Sequence, residues 1–281
     1  MNCEVCYRHC NIREGGTGFC GVRTCKDGKI ISTNYGKITA AALDPIEKKP
    51  LHMFMSGSMI FSIGSYGCNL RCPFCQNSDI SWGREVKSFE NRTQIITPEE
   101  IVAKAIELKS KGNVGIAFTY NEPLIGYEFV RDTARLAKEK DLVTVLVTNG
   151  TASEKVANEI TPYIDAMNID IKAFSGRFYK DLINGDFGMV KDFINSSVKS
   201  CHVELTNLII PGENDSEDEV RELSKWIHFL EIKEGKKIPL HITRFFPTFH
   251  MTDRGATSVD KIYRLVEVAS ENLEYVFAGN V

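Results

Sequence analysis

From Met59 onward the sequence alternates short apolar runs with longer amphipathic stretches, and this alternation limits the fold more than any other feature. Buried strands are predicted at 59–63, 114–120, 142–148, 166–171, 202–210, 239–246 and 273–278. Helices are predicted at 98–111, 125–140, 153–160, 175–184, 216–231 and 258–270. Apolar strands separated by helices are typical of a parallel sheet covered on both faces. The sequence therefore predicts an α/β fold of about six strand–helix units, either open or curled into an incomplete barrel.

Length, charge and hydropathy narrow the classes of function. The 281 residues are enough for one large α/β domain or two small ones, and the net charge of −3 gives no support to a nucleic-acid partner. No apolar run approaches the ~18 residues that cross a bilayer, and the amino terminus lacks the pattern of a secretory signal. We therefore expect a cytoplasmic protein with neither a nucleic-acid nor a membrane partner.

Cysteine is the unusual residue of this chain, since eight of its nine cysteines lie within the first 75 residues. In a reducing compartment, clustered thiols more often bind metal than form disulfides. Cys68, Cys72 and Cys75 directly follow the first strand, at the sheet edge where reactive groups of parallel folds gather. Iron–sulfur clusters usually take four thiolates, so three would leave one iron open, as in a catalytic metal site. From spacing alone, a zinc site with a distant fourth ligand or three unremarkable thiols stay open as alternatives.

The stretch CNLRCPFC at 68–75 fits a Cys-x-x-x-Cys-x-aromatic-Cys signature and resembles the radical S-adenosylmethionine (radical SAM) enzymes. The resemblance implies a partial (β/α)6 TIM-like barrel, with a [4Fe–4S] cluster on Cys68, Cys72 and Cys75 and S-adenosylmethionine on its open iron. It also implies that the cluster, reduced by a flavodoxin- or ferredoxin-type donor, cleaves S-adenosylmethionine. The resulting 5′-deoxyadenosyl radical then abstracts hydrogen from a substrate.

Residues at the other strand ends match cofactor contacts of that family. The turn at 119–123, TYNEP, stands where the family has a Gly-Gly-Glu-Pro-like turn that holds the methionine amino group. Glu122 and Pro123 match that turn, whereas Tyr120 and Asn121 replace its glycines. The positions that the resemblance implies as cofactor contacts are Phe74, Asn77, Tyr120, Asn121, Glu122, Thr148, Asn149, Asp170, Lys172, Leu208 and His241. Structural explanations stay open for some of them: Glu122 as a solvated loop acid, Asp170 and Lys172 as a mutual salt bridge, His241 as a core histidine.

The order of motifs across 59–246 resembles the pyruvate formate-lyase activating branch, with VTNG, DIK and PGEND in sequence. Two departures are evident. Val147 stands where that branch has an Asp associated with a monovalent cation, so the cation site is not carried over. Those activases also have an Asp-Gly-Pro-Gly segment before the cluster, whereas residues 51–67 contain no acid.

A resemblance over nearly the whole chain points to the AmmeMemoRadiSam group of radical SAM proteins. It rests on CEVCYRHCNIREGGTGFCGVR near the amino terminus, LDPIEKKPL at 43–51, the cluster loop and TYNEP. The group is associated with Ammecr-type and Memo-type partner proteins, and the resemblance implies no particular reaction. Many members continue past the position of Val281 with further paired cysteines, so no role of such a tail is carried over.

The first 25 residues contain five cysteines and few large apolar side chains, so this segment requires a stabilising cross-link, such as a bound metal, to fold. Cys3, Cys6, Cys10 and Cys20 are predicted to hold a second metal site, either structural zinc or a second iron–sulfur cluster. In the activases that this chain resembles, extra clusters usually follow the main motif, so the position ahead of it favours a structural metal. Cys25 and His9 are substitute ligands, and free thiols are the alternative. Cys201 is interpreted as a small buried apolar residue.

Two regions and three functions are predicted. Residues 1–50 form a Cys-rich extension and linker, and residues 51–281 form the barrel. Residues 44–58 are interpreted as a linker packed on the barrel, with a partner or substrate edge as the alternative. The first function is a radical SAM enzyme acting on an unidentified substrate, within a multi-protein system. An activating enzyme for a glycyl radical enzyme and a non-catalytic metal-binding scaffold are the others, and polar groups at separate strand ends disfavour the scaffold.

Overall fold

An eight-stranded sheet forms the body of the protein in a computed structural model that describes residues 1–82, 88–89 and 93–281. A separate hairpin precedes it, formed by β1 (Arg23–Lys26) and β2 (Lys29–Ser32). The strands of the large sheet are β3 (Ala40–Pro45), β4 (Met59–Gly64), β5 (Asn113–Phe118), β6 (Val143–Thr148), β7 (Ala166–Asp170), β8 (His202–Ile209), β9 (Leu240–Arg244) and β10 (Val276–Gly279). The seven predicted strands are β4 to β10.

The strands of this sheet lie in chain order from β3 to β10, and every pair from β4 onward is parallel. β3 adds an antiparallel edge, with Ala40 opposite Gly64 and Pro45 opposite Met59. In the described parts of the chain β3 and β10 are the two edges, so the barrel is incomplete. The predicted partial barrel is therefore confirmed, and the antiparallel strand is an addition that the apolar pattern did not predict.

Helices cover the sheet between the strands. They are α1 (Ser78–Ser81), α2 (Pro98–Glu107), α3 (Tyr127–Lys138), α4 (Glu154–Ile160), α5 (Phe187–Ser200), α6 (Glu217–Glu234) and α7 (Val259–Ser270). The start of α2 has the capping box that its sequence predicts: Thr97 accepts from the Glu100 amide, and the Glu100 side chain accepts from the Thr97 amide. Five of the six predicted helices are confirmed, namely those that became α2, α3, α4, α6 and α7.

The crossover between β7 and β8 differs from the prediction. The helix expected at 175–184 is a short segment with a π-helical turn over Phe178–Leu182, and α5 follows it. α5 begins where the Asp186 carboxylate accepts from the Met189 amide at 2.8 Å. It buries Val190, Phe193, Ile194, Ser197 and Val198, which lie on one face at helical spacing. Asn, Ser and Gly lower the helix propensity of this stretch, and burial of that face overrides the propensity.

The linker between β3 and β4 packs against the barrel, as the first of its two interpretations predicts. Ile46 and Leu51 are fully buried. The Asn168 side chain donates to the Pro50 carbonyl at 2.8 Å, and the amides of His52 and Met53 donate to Glu204. The linker therefore satisfies polar groups that point inward from β7 and β8.

The amino-terminal extension is tied to the barrel by a buried arginine. Arg23 donates through both terminal nitrogens to the Glu128 carboxylate, at 2.6 and 2.7 Å, and through Nε to the Ile125 carbonyl. β3 lies within the predicted extension at residues 1–50, and yet it pairs with β4 of the large sheet. The boundary between extension and barrel at residue 50 stays a prediction. Among the described residues no helix is long and apolar enough to cross a membrane.

Candidate active site

A cleft of about 840 Å³ opens at the carboxyl ends of the parallel strands. This volume lies within the range of small-molecule sites, which is about 300–1,000 Å³. Every residue that the sequence predicts as a cluster ligand or cofactor contact in the barrel lines the cleft. These residues are Cys68, Phe74, Cys72, Cys75, Asn77, Tyr120, Asn121, Glu122, Thr148, Asn149, Asp170, Lys172, Leu208 and His241. The fold thus brings together residues that are separated by up to 173 positions (241 − 68) along the chain.

Three thiols lie together in the loop after β4. The Leu70 amide donates to Cys68 Sγ at 3.4 Å, and the Asn77 amide donates to the Cys75 thiol. Burial raises the pKa of Cys68 well above its usual range and that of Cys72 to about 12, because a low-dielectric site disfavours the thiolate. Thiolates are stable in such a place when a cationic metal centre is bound to them.

The donor set of this loop fits an iron–sulfur cluster. Three thiols face one cleft, and amide hydrogen bonds of the kind that tune such clusters reach two of the sulfurs. In the described parts of the chain, no three Cys, His, Asp or Glu groups close around one point as the ligands of a single metal ion do. Thiolates on a cluster surround several atoms rather than one, so they are spaced more widely than the ligands of one ion.

Glu122 is buried and accepts three hydrogen bonds, so it is not a solvated loop acid. Its donors are the Thr148 hydroxyl at 2.7 Å, the Asn149 amide at 2.8 Å and the Leu124 amide at 3.0 Å. Burial raises the pKa of Glu122 to about 7, against the effect of these donors. The carboxylate therefore joins the ends of β5 and β6 at the wall of the cleft.

The turn that replaces the family's glycines keeps a glycine-like backbone. Tyr120 has a φ of 72°, in the left-handed region that glycine adopts most easily. Its carbonyl accepts from the Asn77 side chain at 2.7 Å, and the Asn121 side chain donates to the carbonyls of Tyr66 and Gly67. These bonds hold the turn against the loop that carries the three thiols.

Asp170 and Lys172 form an ion pair of 2.7 Å at the end of β7. The salt bridge that the sequence leaves open is therefore present, and both residues also line the cleft. Lys172 lies close enough to Cys72 and Cys75 to lower the pKa of both thiols, although burial raises them more strongly. A positive charge beside the thiols favours the anionic species at this side of the site.

His241 is 2% exposed and its Nε2 lies 2.6 Å from a carboxylate oxygen of Glu204. Glu204 is fully buried and also accepts from the His52 and Met53 amides and from His202. The pKa of Glu204 is about 2, since these hydrogen bonds outweigh the opposing effect of burial. His241 is thus a buried histidine with a hydrogen-bonding partner, as the core-histidine alternative expects, and it also lines the cleft.

Sequence reasoning missed three side chains around the cleft. Glu204 and His52 form the network behind His241, and Lys49 is 4% exposed and pairs with Asp44 at 2.8 Å. The signal for Glu204 was an acid in the middle of an apolar strand, which is costly unless paired. Lys49 and His52 lie on the linker, whose place in the cleft follows only from the three-dimensional structure. Val147 lines the cleft as well, and its side chain offers no oxygen to a cation.

The four amino-terminal cysteines predicted as metal ligands lie near one another. The Cys3 amide donates to the Cys10 carbonyl at 2.9 Å. The thiols of Cys3, Cys6 and Cys20 lie close enough together that ionisation of one raises the pKa of another. Cys25 is directed elsewhere, since its thiol donates to the Glu14 carboxylate at 3.4 Å. His9 is exposed, and Cys201 is buried and donates to the Ser197 carbonyl.

The model of the radical SAM superfamily matches residues 62–226. The chain is 39% identical to the uncharacterized protein MJ0808 of Methanocaldococcus jannaschii over 283 residues, which span 100% of this chain and 81% of that protein. It is 27% identical to the pyruvate formate-lyase-activating enzyme of Clostridium pasteurianum over 184 residues, which span 62% of this chain and 72% of that enzyme.

Solved structures are similar in fold. A domain of pyruvate-formate lyase-activating enzyme from Bacteroides vulgatus matches with a TM-score of 0.50 and 16% identity, covering 59% of this chain and 99% of that one. SuiB of Streptococcus suis, bound to S-adenosylmethionine, matches with a TM-score of 0.58 and 12% identity, covering 77% and 48%. Radical SAM enzymes use a [4Fe–4S] cluster and S-adenosylmethionine and need a reductant such as flavodoxin or ferredoxin. Because the family model matches more than half of the chain and includes the three thiols after β4, this chain belongs to the radical SAM superfamily.

Proposed function

We propose that the protein binds S-adenosylmethionine in the cleft, against a cluster held by Cys68, Cys72 and Cys75, and acts on a substrate presented within a multi-protein system. When bound, the cluster and S-adenosylmethionine together supply reductive cleavage to a 5′-deoxyadenosyl radical, which abstracts hydrogen from the substrate. The observation that carries the proposal is that the predicted contacts at the carboxyl ends of five strands, together with His241 near the start of β9, converge on one cleft.

Each group of side chains has a distinct task in this proposal. Glu122, with Tyr120 and Asn121, orients the amino acid part of the cofactor beside the thiols. The Asp170 and Lys172 pair and the Thr148–Asn149 segment contact the cofactor from β7 and β6. Phe74, Leu208 and His241 surround its nucleoside part, and Asn77 keeps the turn at Tyr120 in place. Burial of these groups keeps water from the reactive centre.

The partners and setting of the reaction follow from the resemblance over the whole chain. We propose that Ammecr-type and Memo-type proteins work with this enzyme, in the cytoplasm, where reduced thiols persist. The linker residues Glu47 and Lys48 line the cleft and are not buried, so they offer charged groups to a substrate or partner.

Activation of a glycyl radical enzyme is the second candidate, because relatives of this chain are named as activating enzymes for pyruvate formate-lyase and 4-hydroxyphenylacetate decarboxylase. The chain lacks an acid at 51–67, where those activases hold the partner's glycine loop. The nearest acid on the neighbouring strand, Asp44, is engaged by Lys49 and by the Tyr120 hydroxyl at 3.0 Å. The geometry therefore favours the first candidate.

The test is anaerobic reconstitution with iron and sulfide, followed by reduction with S-adenosylmethionine present and chromatography of the products. Production of 5′-deoxyadenosine that depends on Cys72 supports the radical enzyme. A fully loaded and reduced protein that binds no S-adenosylmethionine and releases no 5′-deoxyadenosine, with or without Ammecr-type and Memo-type proteins, contradicts the proposal. A protein that takes up zinc and no iron supports the scaffold instead. A glycyl radical signal in a supplied glycyl radical enzyme would favour the second candidate.

A further inference from the structure

Backbone amides lie close to three of the four amino-terminal thiols in a repeating pattern. The Val5 amide is within reach of Cys3, the Arg8 amide of Cys6, and the Val22 and Arg23 amides of Cys20. In each case a donor lies two residues after its cysteine. The loop of the catalytic thiols has the same arrangement, with Leu70 donating to Cys68 and Asn77 to Cys75. Amides aimed at sulfur are typical of thiolates that bind metal, since they stabilise the anionic ligand.

The cysteines outside these two groups have the opposite environment. Cys25 donates its proton to Glu14, and Cys201 donates to the Ser197 carbonyl at 3.6 Å. Both thiols are therefore satisfied as hydrogen-bond donors, in their neutral form. The contrast separates Cys3, Cys6 and Cys20 from Cys25, although all four are buried within the same extension.

The chain from Cys3 to Cys10 turns back on itself, so that Cys10 lies close to Cys3. The His9 amide donates to the Cys6 carbonyl at 3.2 Å, and His9 has a φ of 41° in the left-handed region. This turn lets Cys10 approach Cys3, whose amide donates to the Cys10 carbonyl. Cys20, which shortly precedes β1, lies beside Cys3 and Cys6. Four thiols from a segment with few large apolar residues thus share one interior.

This interior adjoins the catalytic loop. The Asn69 side chain lies beside Cys6, and its oxygen accepts from Asn149 at 3.0 Å. The same Asn149 nitrogen lies 3.8 Å from Cys68 Sγ. Two amide side chains therefore connect an amino-terminal thiol to a catalytic one. On the other side, the Arg71 guanidinium donates to the Phe19 carbonyl and lies within electrostatic reach of both Cys20 and Cys68.

We propose that Cys3, Cys6, Cys10 and Cys20 are the ligands of a second metal centre, which takes a thiophilic metal, either one zinc ion or an iron–sulfur cluster. Four thiolates close the coordination of either species and leave no open position, so the centre holds the extension against the catalytic loop rather than binding substrate. The thiols do not already close around one point, so a zinc ion would draw them together, whereas a cluster would be seated among them. This site is independent of the proposed reaction, because none of its ligands lines the cleft.

The test removes the catalytic site and asks whether metal remains. The background is the full chain with Cys68→Ala, Cys72→Ala and Cys75→Ala, purified anaerobically and incubated separately with zinc, with cobalt, and with ferrous iron plus sulfide. We expect about one zinc or cobalt per chain, with the thiolate-to-cobalt charge-transfer absorption of a tetrathiolate site, or about four irons and four sulfides. Uptake of zinc and cobalt alone identifies a structural ion, and uptake of iron with sulfide identifies a cluster; either result supports the metal site.

Matched substitutions within the extension make the result specific. Adding Cys6→Ser to the background should reduce the metal content at least tenfold, whereas adding Cys25→Ser should leave it unchanged. Cys10→Ser, at a half-buried position, repeats the test with less risk to folding, which circular dichroism monitors. A background protein that is folded but binds none of the three probes overturns the proposal, as does an equal loss of metal in the Cys6→Ser and Cys25→Ser variants. Failure of the proposed reaction would appear as missing 5′-deoxyadenosine in the unmodified protein and would leave this readout unaffected.

Discussion

A carboxylate oxygen of Glu204, on β8, lies 2.6 Å from Nε2 of His241, on the neighbouring strand β9, and both side chains are buried. The same carboxylate binds the linker through the amides of His52 and Met53, at 3.0 and 2.8 Å. One buried acid therefore positions a cleft residue and anchors the segment that packs across the inside of the barrel.

Replacing Glu204 by Gln should lower the free energy of unfolding at pH 7 by about 2 kcal/mol. The new amide nitrogen would face a backbone N–H of either His52 or Met53, so one donor loses its acceptor. Urea denaturation measures the change. Glu222→Gln, which alters an exposed acid paired with Lys225, should have almost no effect. Equal stability of the wild type and Glu204→Gln would contradict the assigned hydrogen bonds.

Stability should also depend on the titration of Glu204. Its pKa is lowered from 4.5 to about 2 in the folded protein, so its contribution is fully present above about pH 4.5 and is lost as the pH falls toward 2. The difference in unfolding free energy between wild type and Glu204→Gln should therefore narrow across that interval. Denaturation curves at pH 5, 4 and 3 test this, and a difference that grows on acidification would refute it.

Replacing Gly67, where the extension meets the catalytic loop, should destabilise the protein more than replacing a glycine with the same backbone conformation elsewhere. Its φ is 87°, and a Cβ at this position would lie 2.6 Å from the Cys20 carbonyl oxygen and 2.8 Å from Val22. Gly57 has a φ of 84° with nothing within 4 Å, so it provides a control for backbone strain alone. We expect Gly57→Ala to cost about 1–2 kcal/mol and Gly67→Ala to cost roughly 1–3 kcal/mol more.

Thermal or urea unfolding gives these two costs. Limited proteolysis of residues 1–32 should also accelerate in Gly67→Ala and not in Gly57→Ala, because the clash pushes the extension from the loop. Identical unfolding free energies for the two variants would show that the close approach at Cys20 carries no energetic weight.

Glu122→Ala should lower the free energy of unfolding more than the loss of the side-chain volume alone would. The Thr148 hydroxyl and the amides of Asn149 and Leu124 would lose their acceptor, at a cost of about 3 kcal/mol. Glu122→Gln keeps an oxygen for part of this set and should cost less. Under the proposed function both variants bind S-adenosylmethionine at least tenfold more weakly, as equilibrium dialysis of the reconstituted protein would measure. Wild-type affinity in Glu122→Gln would remove the carboxylate from cofactor binding.

Replacing any one of Cys68, Cys72 or Cys75 by Ala should abolish 5′-deoxyadenosine formation while the barrel still folds. The ligand set would fall to two thiols, too few to hold the cluster with an open iron. Cys201→Ala should retain formation of 5′-deoxyadenosine, since Cys201 lies outside the cleft and donates only to Ser197. Chromatography of the products and circular dichroism of each variant provide the two readouts. Cofactor cleavage by a single catalytic-loop variant would contradict the ligand assignment.

Periodicity and spacing along the chain were enough to predict the parallel strands β4 to β10, most of the helices, and the position of three clustered thiols at the strand ends. The reason is that apolar runs and caps act locally, and parallel strands carry the residues at their carboxyl ends to the same edge of the sheet. The other residues of the cleft were implied by the resemblance to the radical SAM enzymes. α5 was missed because weak local propensity hides a helix whose stability comes from packing of Val190, Phe193 and Ile194.

Tertiary structure alone decided how distant segments pair. The antiparallel strand β3, the contact of Glu204 with the linker, and the approach of Cys20 to Gly67 join residues far apart in the chain, and no local pattern specifies such partners. It also separated the amino-terminal cysteines, since their spacing does not distinguish Cys20 from Cys25, whereas amide donors reach one thiol and Glu14 accepts from the other. A buried polar group without a hydrogen-bonding partner is destabilising, and only the tertiary structure shows which distant residue provides that partner.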